Sequence, residues 1–145
     1  MIRERLEQDL DLLCAILETM DSPAESLAGK DPREWLLEND TELAWVFDMA
    51  PVSVAPTKNV VGHLEIYKPA DNTLAIGKHF VRPDTYENNI GRFLLRESVK
   101  YIQAHGQVPT LDLRQTSFPR TFYQKAGFTE APSNDPDNTL MHYLK

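Results

Sequence analysis

Sixteen residues, FVRPDTYENNIGRFLL from Phe80 to Leu95, constrain this chain more than any other stretch. A strand-like apolar run ends at Val81, and a helix with the apolar spacing Ile90, Leu94, Leu95 starts near Ile90. Between them lies a polar loop. Asn88, Asn89 and Gly91 are residue types that tolerate unusual backbone angles. The first N–H groups of a helix have no internal partner, and the helix dipole favours negative charge there. A strand, such a loop and a helix N-terminus together cradle an anion, so the pattern predicts a ligand that carries phosphates.

The rest of the chain supplies a setting for that loop. Leu6, Leu10, Leu13, Leu17 and Met20 recur at spacings of three and four, which predicts an amphipathic helix over 2–20, stopped by Asp21-Ser22-Pro23. A short helix over 32–38 follows, capped by Asp31, with Pro32 in its first turn and Trp35, Leu36 and Leu37 as apolar surface. Strand-like runs cover 43–48, 60–68 and 73–81. The first two are joined by APVSVAPTKN, whose prolines oppose regular pairing. Asp71-Asn72 marks the next turn. Then come a helix over 90–104, a strand over 110–114, a helix over 118–125, and strands near 127–132 and 138–144, with Gly127 where a helix C-cap residue belongs. This order predicts an α/β fold with a mixed, mostly antiparallel sheet and helices on both faces. A chain of 145 residues is expected to form one domain over 1–145.

Composition narrows the function. A net charge of −7 argues against nucleic acid as the main partner, because phosphate backbones attract Lys and Arg patches. It suits a cationic amine, which an acidic cleft would steer inward. No apolar run reaches the roughly 18 residues of a membrane span. The N-terminus alternates charge with Leu and lacks a signal-peptide core, so a cytoplasmic protein is expected. The lone Cys14 sits among Leu10, Leu13 and Leu17 and reads as a small buried hydrophobe. His63, His79, His105 and His142 show no metal-ligand spacing, so no metal is expected.

Two groups of residues offer chemistry. Strand alternation over 60–67 puts Leu64 and Ile66 on one face and His63, Glu65 and Tyr67 on the other. A solvent-facing polar stripe is the ordinary reading of that second face. The functional reading makes Glu65, or His63 through a water, a base for an attacking amine. His79 at the end of the next strand is a further candidate, and Gly77 beside it marks a bulge or a close backbone approach. The second group is LDLRQTSFPRTFYQKAGF, from Leu111 to Phe128. A phenol such as Tyr123 keeps its proton at neutral pH and can donate it.

Both segments resemble motifs of the GNAT family of N-acetyltransferases. The acetyl-CoA loop of that family reads Val-x-Pro-x-x-Arg/Gln-Gly-x-Gly-x-Gly/Ala before a Leu-rich helix. Val81, Pro83, Ile90, Gly91, Arg92, Leu94 and Leu95 are in register with it. Tyr86 stands where Arg or Gln is usual, and Glu87 and Asn89 stand where Gly is usual. The second motif, Asn-x-x-Ala-x-x-Phe/Leu-Tyr-x-Lys-x-Gly-Phe, is matched by Phe122, Tyr123, Lys125, Gly127 and Phe128, with Thr116 and Pro119 replacing Asn and Ala.

The resemblance implies a splayed pair of parallel strands at the site of an acetyl-CoA cosubstrate. Glu87, Asn88, Asn89, Ile90, Gly91 and Arg92 would hold the pyrophosphate, largely through backbone N–H groups. Phe80 and Val81 would bond the pantetheine arm, with Thr116 and Phe122 beside it. It makes Tyr123 the general acid for the departing thiolate, with Glu65 or water taking the proton of a small-molecule or peptide amine. Acceptor choice would lie in 21–31 and 49–59, and strand 138–144 is a candidate for homodimer pairing. The departures in the loop leave two alternatives, a non-catalytic acyl-CoA-binding or regulatory domain, and an interaction domain on the same fold.

Overall fold

Residues 2–20, which read as one amphipathic helix, divide in the computed structural model, which describes residues 1–49 and 59–145. Ile2–Glu4 form an edge strand, β1, and Asp9–Glu18 form helix α1. The buried Asp9 carboxylate causes the break. It accepts the Leu6 N–H at 2.7 Å and two bonds from the Arg3 guanidinium at 2.8 and 2.9 Å. Arg3 Nε also donates to Asp48 at 3.1 Å, which fixes β1 beside the strand holding Asp48. Leu10, Leu13 and Leu17 keep their predicted core positions, while Leu6 is exposed and Cys14 is half-buried.

The short helix α2 spans Pro32–Leu37, and Asp31 accepts the Glu34 N–H as its cap. Strands β2 (Thr41–Asp48), β3 (Val60–Tyr67) and β4 (Ala75–Val81) form the predicted antiparallel meander. A 3-10 turn over Pro83–Asn88 leads into helix α3, Ile90–Ala104. Strand β5 covers Thr110–Asp112 and stops short of 114, because the Asp112 side chain takes the Arg114 N–H and turns the chain into a 3-10 segment. Helix α4 spans Arg120–Lys125. It begins after 118, since Pro119 disfavours a helical residue before it. Strands β6 (Thr129–Glu130) and β7 (Leu140–His142) are shorter than predicted.

The sheet runs β1-β2-β3-β4-β5-β7-β6, with β4–β5 as its parallel pair. One face carries a core of Leu64, Ile66, Ile76, Leu94, Leu95 and Ile102 under α3. The other carries Leu13, Leu17, Trp35, Leu36, Val46 and Phe80 under α1 and α2. This second layer corrects the solvent-stripe reading of β3. His63 and Glu65 are both fully buried, because alternation chooses a face and α1 and α2 then cover it. The predicted acceptor segment 49–59 lies, from 50 to 58, outside the described residues.

Candidate active site

The site forms where β4 leaves β5. The two strands pair at Ala75–Thr110 and Ile76–Leu111 and meet again at a bridge between His79 and Thr116. Strand β4 carries an extra residue there. His63 pairs with Phe80 but Glu65 pairs with Gly77, so Lys78 and His79 share the place of one residue. Lys78 takes the strain, with a φ of 48°. The bulge therefore centres on Lys78. Gly77 supplies the close approach, since a Cβ there would stand 2.7 Å from Gln115 Oε1 and 2.8 Å from the Tyr67 ring.

Beyond the bulge, the backbone of Val81 faces the gap. Arg82 N–H donates to the Val61 carbonyl at 2.7 Å, and Gly62 pairs with Val81. Antiparallel pairs alternate between exchanging hydrogen bonds and facing away. The N–H and C=O of Val81 thus point away from β3. Those of Phe80 face His63, and the Phe80 ring packs on the opposite side of the sheet, 5.3 Å from His63. The cofactor role expected of the Phe80 backbone has no free groups behind it.

Asn89, a residue type that tolerates unusual backbone angles, takes a left-handed conformation in the loop, with φ 58° and ψ 22°. Among the described residues no side chain caps α3, so its first N–H groups are available as donors. A cavity of about 360 Å³ lies against this end, lined by Val81, Asn89, Gly91, Arg92, Phe118 and Phe122 among others. Glu87 and Asn88 are exposed, while Ile90 turns into the core. Arg92 donates to the Lys125 carbonyl at 3.1 Å and ties α3 to α4. Phe118, which the sequence did not single out, packs on Gly91, where a Cβ would meet its ring at 2.5 Å. It stacks on Phe122 with ring centres 4.2 Å apart.

Tyr123 lies behind these rings, fully buried. Its hydroxyl is 2.7 Å from His79 Nδ1 and 2.5 Å from Thr116 Oγ1. His79 Nε2 is 2.9 Å from the Gly91 carbonyl, which can only accept. Nε2 therefore carries the proton, Nδ1 accepts, and Tyr123 O–H donates to it. Burial pushes the His79 pKa down to about 3, so the ring is neutral. Burial also raises the Tyr123 pKa well above its ordinary value, so the phenol holds its proton.

Glu65 stands on the opposite face of the sheet from Tyr123. Asn39 Nδ2 donates to Glu65 Oε1 and to Gln115 Oε1, each at 2.9 Å. Glu65 Oε2 is buried with no hydrogen-bond partner among the described residues, and burial raises the pKa of this carboxyl against the Asn39 bond. His63 is committed elsewhere. Arg5 Nη1 lies 3.1 Å from its Nε2, and its Nδ1 lies 2.6 Å from the Lys78 carbonyl. Nδ1 thus donates, Nε2 accepts from Arg5, and burial lowers the pKa to about 3. The Lys78 ammonium, fully buried, donates to Glu38 at 2.6 Å and sits 4.2 Å from the centre of the Trp35 ring. Lys78, beside His79 in a strand whose other residues are Ala, Ile, Gly, Phe and Val, is the sequence signal for the Glu38 and Trp35 contacts.

Among the described residues, no group of three or more His, Cys, Asp or Glu is placed to hold a metal, and no helix is long and apolar enough to cross a membrane. No curated protein matches the sequence. Solved structures do. A GNAT-family acetyltransferase from Staphylococcus aureus Mu50 is 18% identical, with a TM-score of 0.72 over 99% of this chain and 97% of that one. An aminoglycoside 6'-N-acetyltransferase complexed with coenzyme A is 17% identical, with a TM-score of 0.69 over 98% and 95%. The PaiA N-acetyltransferase from Thermoplasma acidophilum, in complex with coenzyme A, is 18% identical, with a TM-score of 0.68 over 100% and 98%. At these identities the likeness is one of fold. The model of the acetyltransferase (GNAT) domain matches residues 31–142, most of the sequence, and the chain belongs to the GNAT acetyltransferase family.

Proposed function

We propose that this protein is an acetyl-CoA-dependent N-acetyltransferase acting on a primary amine. One observation carries the reading. The gap between β4 and β5, faced by the Val81 N–H and C=O, runs to an α3 N-terminus that no side chain caps. An amide-rich arm suits the first part and a pyrophosphate the second. Val81, Asn89, Gly91 and Arg92 would hold the cosubstrate, beside Thr116 and Phe122. Coenzyme A in the solved relatives supports this assignment.

In the reaction, the amine nitrogen attacks the thioester carbonyl, the C–S bond breaks, and the amine proton must leave. Glu65 Oε2 is the base that fits, because it has a free lone pair and a raised pKa. His63 and His79 do not fit, since each has spent its acceptor nitrogen. Tyr123 would stabilise the departing sulfur by turning its one hydroxyl proton from His79 Nδ1 to the sulfur, with Thr116 beside the phenol oxygen. With its pKa raised, Tyr123 acts mainly as a hydrogen-bond donor to sulfur. Alignment of the two reactants would supply much of the rate.

One observation favours the non-catalytic acyl-CoA-binding alternative. The Tyr123 proton already has an acceptor in His79. Two measurements separate the readings. Thermal unfolding with excess acetyl-CoA, CoA and ATP reports binding, and at about 100 times the dissociation constant the stabilisation is about 2.7 kcal/mol. Thiol release from acetyl-CoA in the presence of spermidine, a lysine peptide, an N-terminal peptide and an aminoglycoside reports transfer. Binding with transfer supports the enzyme, binding without transfer the alternative. Absence of binding refutes both.

A further inference from the structure

Asn39 joins three elements that lie far apart in the sequence. It stands just after α2, and its Nδ2 donates to Glu65 Oε1 on β3 and to Gln115 Oε1 in the 3-10 segment after β5, each at 2.9 Å. Both hydrogens of that nitrogen are therefore spent. Gln115 reaches it across Gly77, where a Cβ would stand 2.7 Å from the Gln115 oxygen. Trp35 and Leu36, fully buried, pin α2 to the sheet and so fix where Asn39 stands.

A carboxylate buried for structure alone would have both oxygens satisfied. Glu65 does not, because the cations near it have other partners. Lys78 on β4 donates to Glu38, and Arg5 Nη1, ahead of α1, lies against His63 Nε2 and the Leu36 carbonyl. Glu38, at the end of α2, adds a second negative charge nearby. Tyr67 and His63, both on β3, stay neutral near pH 7. Among the described residues Asn39 is the donor to this carboxylate, and it takes Oε1 and leaves Oε2 open. Glu38 and Gln115, on either side of Asn39, both line a cavity of about 400 Å³, which offers an amine a way in.

We propose that Asn39 is a positioning residue for the base, which holds Glu65 by one oxygen so that the other is presented to the acceptor amine. This rests on the reading of Glu65 as the group that takes the amine proton. Asn39 touches no reacting atom. Its hydrogen bond favours the ionised carboxylate, and so keeps the base charged against the burial that opposes it.

Asn39→Leu removes the donor and fills its place, and Asn39→Ala removes it and leaves room for a water. A hydrogen bond to a charged group corresponds to about one to two pH units in the titration of the carboxyl. The acid limb of kcat/KM, measured with acetyl-CoA and an amine that the wild type accepts, is expected to move up by that amount in Asn39→Leu and by less in Asn39→Ala. Activity lost at pH 7 should return as the pH is raised, with the dissociation constant for CoA unchanged. A merely structural role would lower activity by the same factor at every pH and leave the limb in place, which would overturn the proposal. The Glu65 carboxyl ¹³C resonance, identified as the signal lost in Glu65→Gln, reads the same titration without an acceptor. An upward move in Asn39→Leu supports the proposal, and an unmoved titration overturns it. Failure of the base reading is seen separately, as an acid limb that persists in Glu65→Gln or as no transfer by the wild type to any amine, and either result removes the proposal with it.

Discussion

Two neutral histidines buried on opposite faces of the sheet, His63 on β3 and His79 on β4, make the stability of this protein depend on pH well above the carboxylate range. His63 and His79 are both fully buried, and burial lowers each pKa from 6.5 to about 3. In the unfolded chain both bind protons below about pH 6.5, whereas in the folded chain neither does until about pH 3. The unfolded state therefore holds more protons throughout that window, and stability falls as pH falls through it. Integrated from pH 7 to pH 5, the loss is about 2 kcal/mol per histidine, or about 4 kcal/mol for the pair. Glu65 works in the opposite direction, since its raised pKa means that acid relieves it. Glu38 and Asp112, with lowered values, add to the loss only below about pH 4.5.

A domain of 145 residues has an unfolding entropy of about 0.3 kcal/mol/K, so the pair corresponds to a Tm drop of roughly 10–15 °C between pH 7 and pH 5. Thermal unfolding followed by circular dichroism at half-unit pH steps reads this directly. His63→Phe and His79→Phe should each halve the drop, whatever they do to Tm at pH 7. A Tm constant within about 3 °C over that range, or an undiminished drop in both variants, would refute the reasoning.

Four other outcomes follow from the site. Tyr123→Phe should lower turnover by about 100-fold, at the low end for an acid group, with CoA affinity nearly unchanged in calorimetry. Gly91→Val drives a side chain into the Phe118 ring, where a Cβ alone would stand at 2.5 Å, and should cost about 1–3 kcal/mol in urea unfolding along with CoA affinity. Glu38→Gln leaves the buried Lys78 ammonium without its carboxylate and should destabilise by about 2 kcal/mol, less than a fully enclosed pair because Glu38 is 31% exposed. Lys78→Met, which removes the charge itself, should cost much less in the same denaturation assay.

What the sequence revealed was local. Helix α3 is periodic, and the Tyr123–Phe128 segment is read within a few residues, so both emerged at the right place. Alternation in β3 also assigned Leu64 and Ile66 to one face and Glu65 to the other. What alternation lacks is the covering layer. The contacts that bury Glu65 come from Asn39, which itself reaches Gln115 across 76 residues. Arg5 reaches His63 across 58 residues. Phe118 escaped notice because its partner, Gly91, lies 27 residues away on α3 and has no side chain to mark the contact. Strand β1 was hidden because Ile2 stands four residues before Leu6 and so extends the helical spacing. The Asp9 bonds to Leu6 and Arg3 are local, but Arg3 is held beside Asp48 across 45 residues, and that is a property of the tertiary structure.

The two polar systems are kept apart by one residue in a left-handed conformation. Ile76 belongs to the α3 face and Gly77, paired with Glu65, to the other. In a regular strand Lys78 would then turn to α3 and His79 to α2. The bulge at Lys78 inserts one position without changing face. Lys78 reaches Glu38 and Trp35 on the α2 side, and His79 reaches Tyr123 and Gly91 on the α3 side. Every residue beyond it depends on that step, including Phe80 under α2 and Val81 under α3. Such a conformation costs a Lys about 1 kcal/mol, which the Glu38 ion pair and the Trp35 face offset. Deleting Lys78 removes the inserted position, so His79 would face Leu64 and stay on the α3 side while Phe80 stays on the α2 side. The contacts to Glu38 and Trp35 would be lost and those to Tyr123 and Gly91 kept, so the deleted chain is expected to retain a cooperative thermal transition. Loss of that transition would show that alternation on either side of the bulge does not set these faces.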